Sequence, residues 1–293
     1  MDDDEEERMM GSTTGTGRKG WTVGRWVALS TVGFMTIGGL AVADLAANDG
    51  DVRVEVRRGS EEAFAWRGPM PAGGVLEIKG VNGSVHAVRA AGSEVVVTAT
   101  IRGRRSDPAT VRVERVEHDG GITFCAVYPT PSGSDENVCA PGDEGHMSTR
   151  RNDVEVEFRV EVPSGVPFHG RTVNGSVEAA ELESDVVAKT VNGAVEVSTT
   201  GSARARTVNG SIEARMGNAP TGEVDFETVN GRISLDFPDD VDADLDVRWL
   251  NGGLDSELPI TLGRMGRGHA TGTLGQGGPT IRIKTVNGSI RIR

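Results

Sequence analysis

The residues of this chain best able to do chemistry are five histidines, two cysteines and one run of aspartates. A zinc hydrolase would need histidines paired as in HExxH, and a serine hydrolase would need its nucleophile in a G-x-S-x-G elbow. His86, His118, His146, His169 and His269 lie 23 or more residues apart, and neither pattern occurs. The aspartates of DDVDADLD (239–246) offer the hard oxygen ligands that Ca²⁺ takes. On a strand, Asp240, Asp242, Asp244 and Asp246 share one face, with Val241, Ala243 and Leu245 on the other. Carboxylates two apart on a strand point outward in a row, whereas a calcium site needs them to converge with loop carbonyls. The expectation is a solvated face whose charges discourage edge pairing, with calcium binding left open. No catalytic residue, cofactor site or metal site is expected.

Cys125 and Cys139 bracket a segment rich in Pro, Gly, Ser and Asp, which reads as a loop. In an oxidising compartment the pair would close it as a disulfide; two unpaired thiols are the alternative. Neither has a second Cys or His two to four residues away, so zinc is not indicated. The glycine-rich GRMGRGHATGTLGQGG (263–278) lacks a Walker lysine and a βαβ context, and reads as a loop.

These residues need a scaffold, and its signature is a repeat. The marker appears as GVNGSV (80–85), TVNGSV (172–177), TVNGAV (190–195) and TVNGSI (207–212), then as TVNGRI (228–233), WLNGGL (249–254) and TVNGSI (285–290). Asn174, Asn192, Asn209, Asn230 and Asn251 are 18, 17, 21 and 21 residues apart, and Asn251 to Asn287 is 36, which reads as two steps with one marker missing. A period near 20 signals a stacked-repeat architecture. Asn-Gly is a strong turn signal because both residues tolerate positive φ, and the flanking Val and Ile are strand formers. The pairs Asn82-Gly83, Asn174-Gly175, Asn192-Gly193, Asn209-Gly210, Asn230-Gly231, Asn251-Gly252 and Asn287-Gly288 are therefore expected at one corner of successive coils. The valines would stack inside, Thr, Ser, Glu and Arg would face outward, and the asparagines could hydrogen-bond in a ladder. A chain of separate hairpins is the alternative.

Residues 95–165 break the period with longer strands. Val154, Val156, Phe158, Val160 and Val162 alternate with Glu155, Glu157, Arg159 and Glu161, the pattern of a half-buried antiparallel strand. Asp119-Gly120-Gly121 marks a hairpin turn. Composition agrees with an all-β fold around a thin core: 41 glycines, 4% aromatic residues and a single tyrosine. The net charge of -12 argues against nucleic acid as a partner, since phosphate binding needs clustered Lys and Arg.

WVALSTVGFMTIGGLAVA (26–43) is an 18-residue run without charge, preceded by Arg18, Lys19 and Arg25. Basic residues ahead of an apolar run keep its start in the cytoplasm. The run reads as an apolar helix, either a signal peptide cleaved after Ala41-Val42-Ala43 or a retained membrane anchor. Both readings engage the membrane and place the following residues outside the cytoplasm. The organisation expected is a polar tail (1–20), the signal or anchor (21–47), a linker and first strand (48–74), and a β-solenoid domain (75–293).

With the markers in place, residues 75–293 resemble a family of proposed bacterial envelope adhesins, a β-solenoid domain of unknown function. The resemblance rests on the early G-V-N-G-S-V, long strands ending in V-x-V-P (160–163) and the T-V-N-G train. It continues through LDFP (235–238) and a glycine-rich stretch before I-R-I-K-T-V-N-G-S-I-R-I. It implies the fold and an envelope location, and no reaction. The leading reading is a non-catalytic structural or adhesive module contacting an envelope protein, a polysaccharide or a surface. The alternatives are a polysaccharide-acting β-helix enzyme and an envelope-stress signalling partner.

Overall fold

In the computed structural model of the chain, the described residues are 61–293 and, ahead of them, five short strands. These are β1 (Thr36–Ile37), β2 (Leu40–Ala41), β3 (Ala46–Asn48), β4 (Asp51–Arg53) and β5 (Val56–Arg58). Most of the expected signal or anchor lies outside the described residues. Where that segment is described, the helix is not supported: β1 pairs antiparallel with β2. Gly38-Gly39 between them in sequence weakens a helix, while Thr36 and Ile37 favour a strand. No helix among the described residues is long and apolar enough to cross a membrane.

The body opens with β6 (Glu61–Gly68), β7 (Val75–Lys79), β8 (Val85–Arg89), β9 (Val95–Arg102), β10 (Arg112–His118), β11 (Gly121–Val127) and β12 (Glu155–Val162). β6, β9 and β12 pair antiparallel, and β10 and β11 form the hairpin turned at Asp119-Gly120. This block is where the chain spends its bulk: Phe64, Trp66, Phe124, Tyr128 and Phe158 are buried in it. Tyr128 donates to Val154 O at 2.8 Å, and burial pushes its phenol up to about 12.

The repeats follow as strand pairs, each folded at its marker: β13 (Phe168–Arg171) and β14 (Val177–Leu182), β15 (Val186–Lys189) and β16 (Val195–Thr199), β17 (Ala203–Asn209) and β18 (Ile212–Met216), and β19 (Val224–Asn230) and β20 (Ile233–Asp236). Two strands then run unbroken through their own markers, β21 (Ala243–Ser256) and β24 (Thr280–Ile292), separated by β22 (Ile260–Gly266) and β23 (His269–Leu274). One sheet, here face A, runs in the order β11, β7, β13, β15, β17, β19, β24, β21, parallel throughout, and ends on the antiparallel β23 and β22. The other, face B, runs β12, β8, β14, β16, β18, β20, β24, β21, also parallel. Their inner side chains form one core. The result is all-β and solenoid-like.

Two expectations fall here. No marker is missing between Asn251 and Asn287: β24 inserts between the Asn230 and Asn251 rungs, so the stack reads Asn82, Asn174, Asn192, Asn209, Asn230, Asn287, Asn251. The 36-residue gap holds the β22–β23 hairpin, which extends face A beyond the last rung before the chain returns. The glycine-rich 263–278 run accordingly supplies much of that hairpin, turning at Arg267-Gly268, instead of a plain loop.

Candidate functional site

At the corner the marker residues divide between inside and outside by hydrogen-bonding need. The first valine faces out: Val173, Val191 and Val208 are 38–39% exposed. The threonine faces in, with Thr172, Thr190, Thr207, Thr228 and Thr285 all buried. This reverses the outward threonine and inward first valine expected from the pattern. A hydroxyl can satisfy a carbonyl at the bend where a valine cannot. Thr172, Thr190, Thr207 and Thr228 donate to the marker glycine carbonyl of the preceding rung, Gly83, Gly175, Gly193 and Gly210, at 2.8–2.9 Å. The second apolar residue fills the core in every rung from Val85 to Ile290, while Trp249, which replaces threonine in the last rung, packs partly buried against it.

The asparagines form one continuous ladder. Each Nδ2 donates to the Oδ1 one rung below: Asn174 to Asn82, Asn192 to Asn174, Asn209 to Asn192 and Asn230 to Asn209, all at 2.9 Å. Asn287 to Asn230 at 2.8 Å and Asn251 to Asn287 at 2.7 Å complete it. Backbone bonds run beside it, such as Gly210 N to Asn230 O at 3.0 Å. The glycines are dictated by this closeness. Gly193, Gly210, Gly231 and Gly288 are not left-handed, so positive φ, the reason anticipated for them, holds only at Gly83, Gly175 and Gly252. A Cβ on Gly210 would instead lie 1.9 Å from Gly193 O.

Outward side chains stand in columns fixed by the parallel register. Face A carries Lys79, Arg171, Lys189, Arg206, Glu227, Lys284 and Arg248 on successive rungs. Face B carries His86, Glu178, Glu196, Glu213, Ser234, Arg291 and Asp255. From Arg206 onward cations pair along their own face: Arg206 with Asp225 at 2.5 Å and Glu227 at 3.8 Å, Lys284 with Glu227 at 2.7 Å and Arg291 with Asp255 at 3.3 Å. Among the described residues, Lys189, Glu196 and Glu213 make no ion pair. Burial, and then the Arg171 charge, hold the Lys189 ammonium below its ordinary pKa.

The Cys125–Cys139 disulfide closes a loop that lies over the start of face A. Its anchor, missed in the sequence, is Glu77, which is 4% exposed. Glu77 Oε2 accepts from Gly142 N at 2.8 Å and Thr123 Oγ1 at 3.1 Å, and Oε1 lies 3.3 Å from Arg171 Nε. Lys79 Nζ donates to Ala140 O and Gly142 O, and Arg171 also pairs with Asp143. Glu77 sits at an outward position of VLEIK, so only the loop above buries it.

The histidines remain dispersed. His86 meets Glu178 at 2.9 Å, His118 meets Thr123 at 3.1 Å and His269 meets Asp246 at 3.0 Å. His146 pairs through its backbone with Val138, and burial lowers the His169 pKa. Val241, Ala243 and Leu245 are buried, while Asp242, Asp244 and Asp246 accept from Gln276 N, Thr273 and His269. Those aspartates tie β21 to the segment 269–276. No group of three or more His, Cys, Asp or Glu among the described residues could hold a metal ion. A shallow hollow of ≈ 260 Å³ lies at a corner between Arg89, Glu183, Thr200 and Arg215.

Ladders of Thr, Asn and Gly on paired parallel sheets define a repeat protein of the β-solenoid kind. Residues 143–293, more than half of the chain, match the Toastrack DUF4097 family, and the chain belongs to that family. It is similar to the crystal structure of a proposed cell adhesion protein from Clostridium sporogenes, at 10% identity over 79% of this chain and 98% of that one, with a TM-score of 0.45. A proposed adhesin from Bacteroides fragilis matches at 10% identity over 79% and 97%, with a TM-score of 0.29. No curated protein matches.

Proposed function

We propose that the chain is a non-catalytic, extracytoplasmic module of the bacterial envelope, structural or adhesive in role. The observation that carries this reading is the unbroken asparagine ladder through seven rungs. With rungs about 4.8 Å apart, it holds both outer faces in one register over about 29 Å. Flat, evenly spaced polar arrays suit many small contacts spread along a partner surface, whether an envelope protein or a polysaccharide. The disulfide supports an oxidising compartment, and the basic-then-apolar leader supports export.

Incubation of the full-length protein with acidic and neutral polysaccharides and peptidoglycan, with and without Ca²⁺, tests the binding reading. Co-sedimentation without release of reducing or unsaturated ends is expected. Release that Asp240→Asn and Asp242→Asn abolish would move the chain to the polysaccharide-cleaving enzymes. Export is tested by fusing residues 1–60 to a reporter active only outside the cytoplasm. Activity should vanish when residues 26–43 are deleted, and equal activity would sink it.

A further inference from the structure

We propose that face A of one copy of this chain docks on face B of another, through the Asn174, Asn192 and Asn209 rungs. The motivating observation is how charge is sorted there. β13, β15 and β17 carry Arg171, Lys189, Arg204 and Arg206 and no acid. β14, β16 and β18 carry Glu178, Glu181, Glu196 and Glu213, against one cation, Arg215. Like charges directly opposite on neighbouring strands are unfavourable. A fold selected for its own stability alone would alternate them, as Glu227 and Lys284 or Arg291 and Asp255 do in the later rungs. Here they are segregated to opposite sides of one thin core, and only the cations of the last of these rungs find acids on their own face, Arg204 on Glu223 and Arg206 on Asp225.

The two columns also match in spacing. Arg171 and Glu178, Lys189 and Glu196, and Arg206 and Glu213 are each seven residues apart and sit on the same three rungs. A second copy translated across the stack, without a shift along it, sets cation over acid at every rung. The disulfide loop over Lys79 and Arg171 bounds the contact at one end, so its centre is Lys189 on Glu196; Arg206, over Glu213, is shared with Asp225 and Glu227 of the next rung of its own face. Farther along, Arg248 would face Asp255, but Arg248 is paired with Asp246 and Asp255 with Arg291. Lys284 would face Arg291, but each is already neutralised within its own face. The contact uses two different surfaces, so every added copy leaves one face A and one face B free, and assembly is open-ended. It goes beyond the binding role proposed above and needs no ligand.

Sedimentation velocity of the full-length protein over a range of concentrations, in low and high salt, is the test. Species should lengthen with concentration and revert in high salt. Lys189→Glu places an acid between Arg171 and Arg206, and Glu196→Lys places a cation between Glu178 and Glu213. Each should therefore leave the fold at least as stable while weakening association about tenfold. Mixed one to one, the two variants should associate again, because each supplies the face that the other has lost. A wild type that stays monomeric in low salt, variants that associate as the wild type does, or a mixture that stays apart would each overturn the proposal.

Discussion

The Asn174–Asn209 rungs and the Asn230–Asn251 rungs share a corner and differ in nearly everything else. Apart from Phe168, Leu182, Ile212 and Met216, the earlier rungs line their core with valines and with small groups such as Gly170, Ala179, Ala188, Ala203, Ala205 and Ala214. The later rungs use Phe226, Ile233, Leu235, Ile281, Ile283, Ile290 and Ile292. Charges are sorted by face in the first group, whose last cations, Arg204 and Arg206, pair with acids of the second, and are paired along the face in the second. The Asn ladder and the close-packed glycines run through both, and the Thr bonds run as far as Thr285, with Trp249 in that place in the last rung. Register is thus set at the corner, and the core and outer faces are left free to take other loads.

The sharpest way to break that shared corner is Gly210→Ala, whose Cβ would meet Gly193 O at 1.9 Å, with the neighbouring rungs stacked too closely to yield. A loss of about 4–5 kcal/mol, or no folded protein, is expected in denaturant titration. A cost below 1 kcal/mol would show that the rungs are not packed this closely. The contrast in cores comes next. Phe226→Ala should cost about 3–4 kcal/mol and Val195→Ala about 2, because the larger side chain leaves the larger cavity; equal costs would erase the distinction. Asn192→Ala removes one donated and one accepted ladder bond, and should lower stability by about 1–2 kcal/mol. Smallest is a difference of sign. Lys189→Glu should raise stability by about 0.5 kcal/mol and Lys284→Glu should lower it by about as much, since only the latter breaks an ion pair.

Much of this was legible in the marker. Its period announced stacked coils, and the strand-forming residues beside Asn-Gly announced an all-β fold. Three features were not legible, for physical reasons. Local pattern cannot show that Thr228 turns inward, because its carbonyl partner, Gly210, belongs to another rung. Nor can it show why Gly210 is glycine, since the obstacle is a backbone 17 residues away and not its own φ. Spacing alone read the 36-residue gap as a lost rung, because a chain that leaves the stack and re-enters between two earlier rungs looks the same in one dimension. Glu77 was hidden in the same way: its burial comes from a loop about 65 residues downstream.

The interleaved last strand is the claim on which the ladder order rests, and zero-length carbodiimide cross-linking read by mass spectrometry tests it directly. Lys284 Nζ lies 2.7 Å from Glu227 Oε1, although 57 residues separate them. A Lys284–Glu227 cross-link in the folded monomer, lost on unfolding, is the expected result. In a stack that followed chain order, the Asn251 rung would stand between these residues and hold them about 10 Å apart. Absence of that cross-link, while Glu227 and other exposed carboxylates still couple to an added amine such as glycine ethyl ester, would contradict the account.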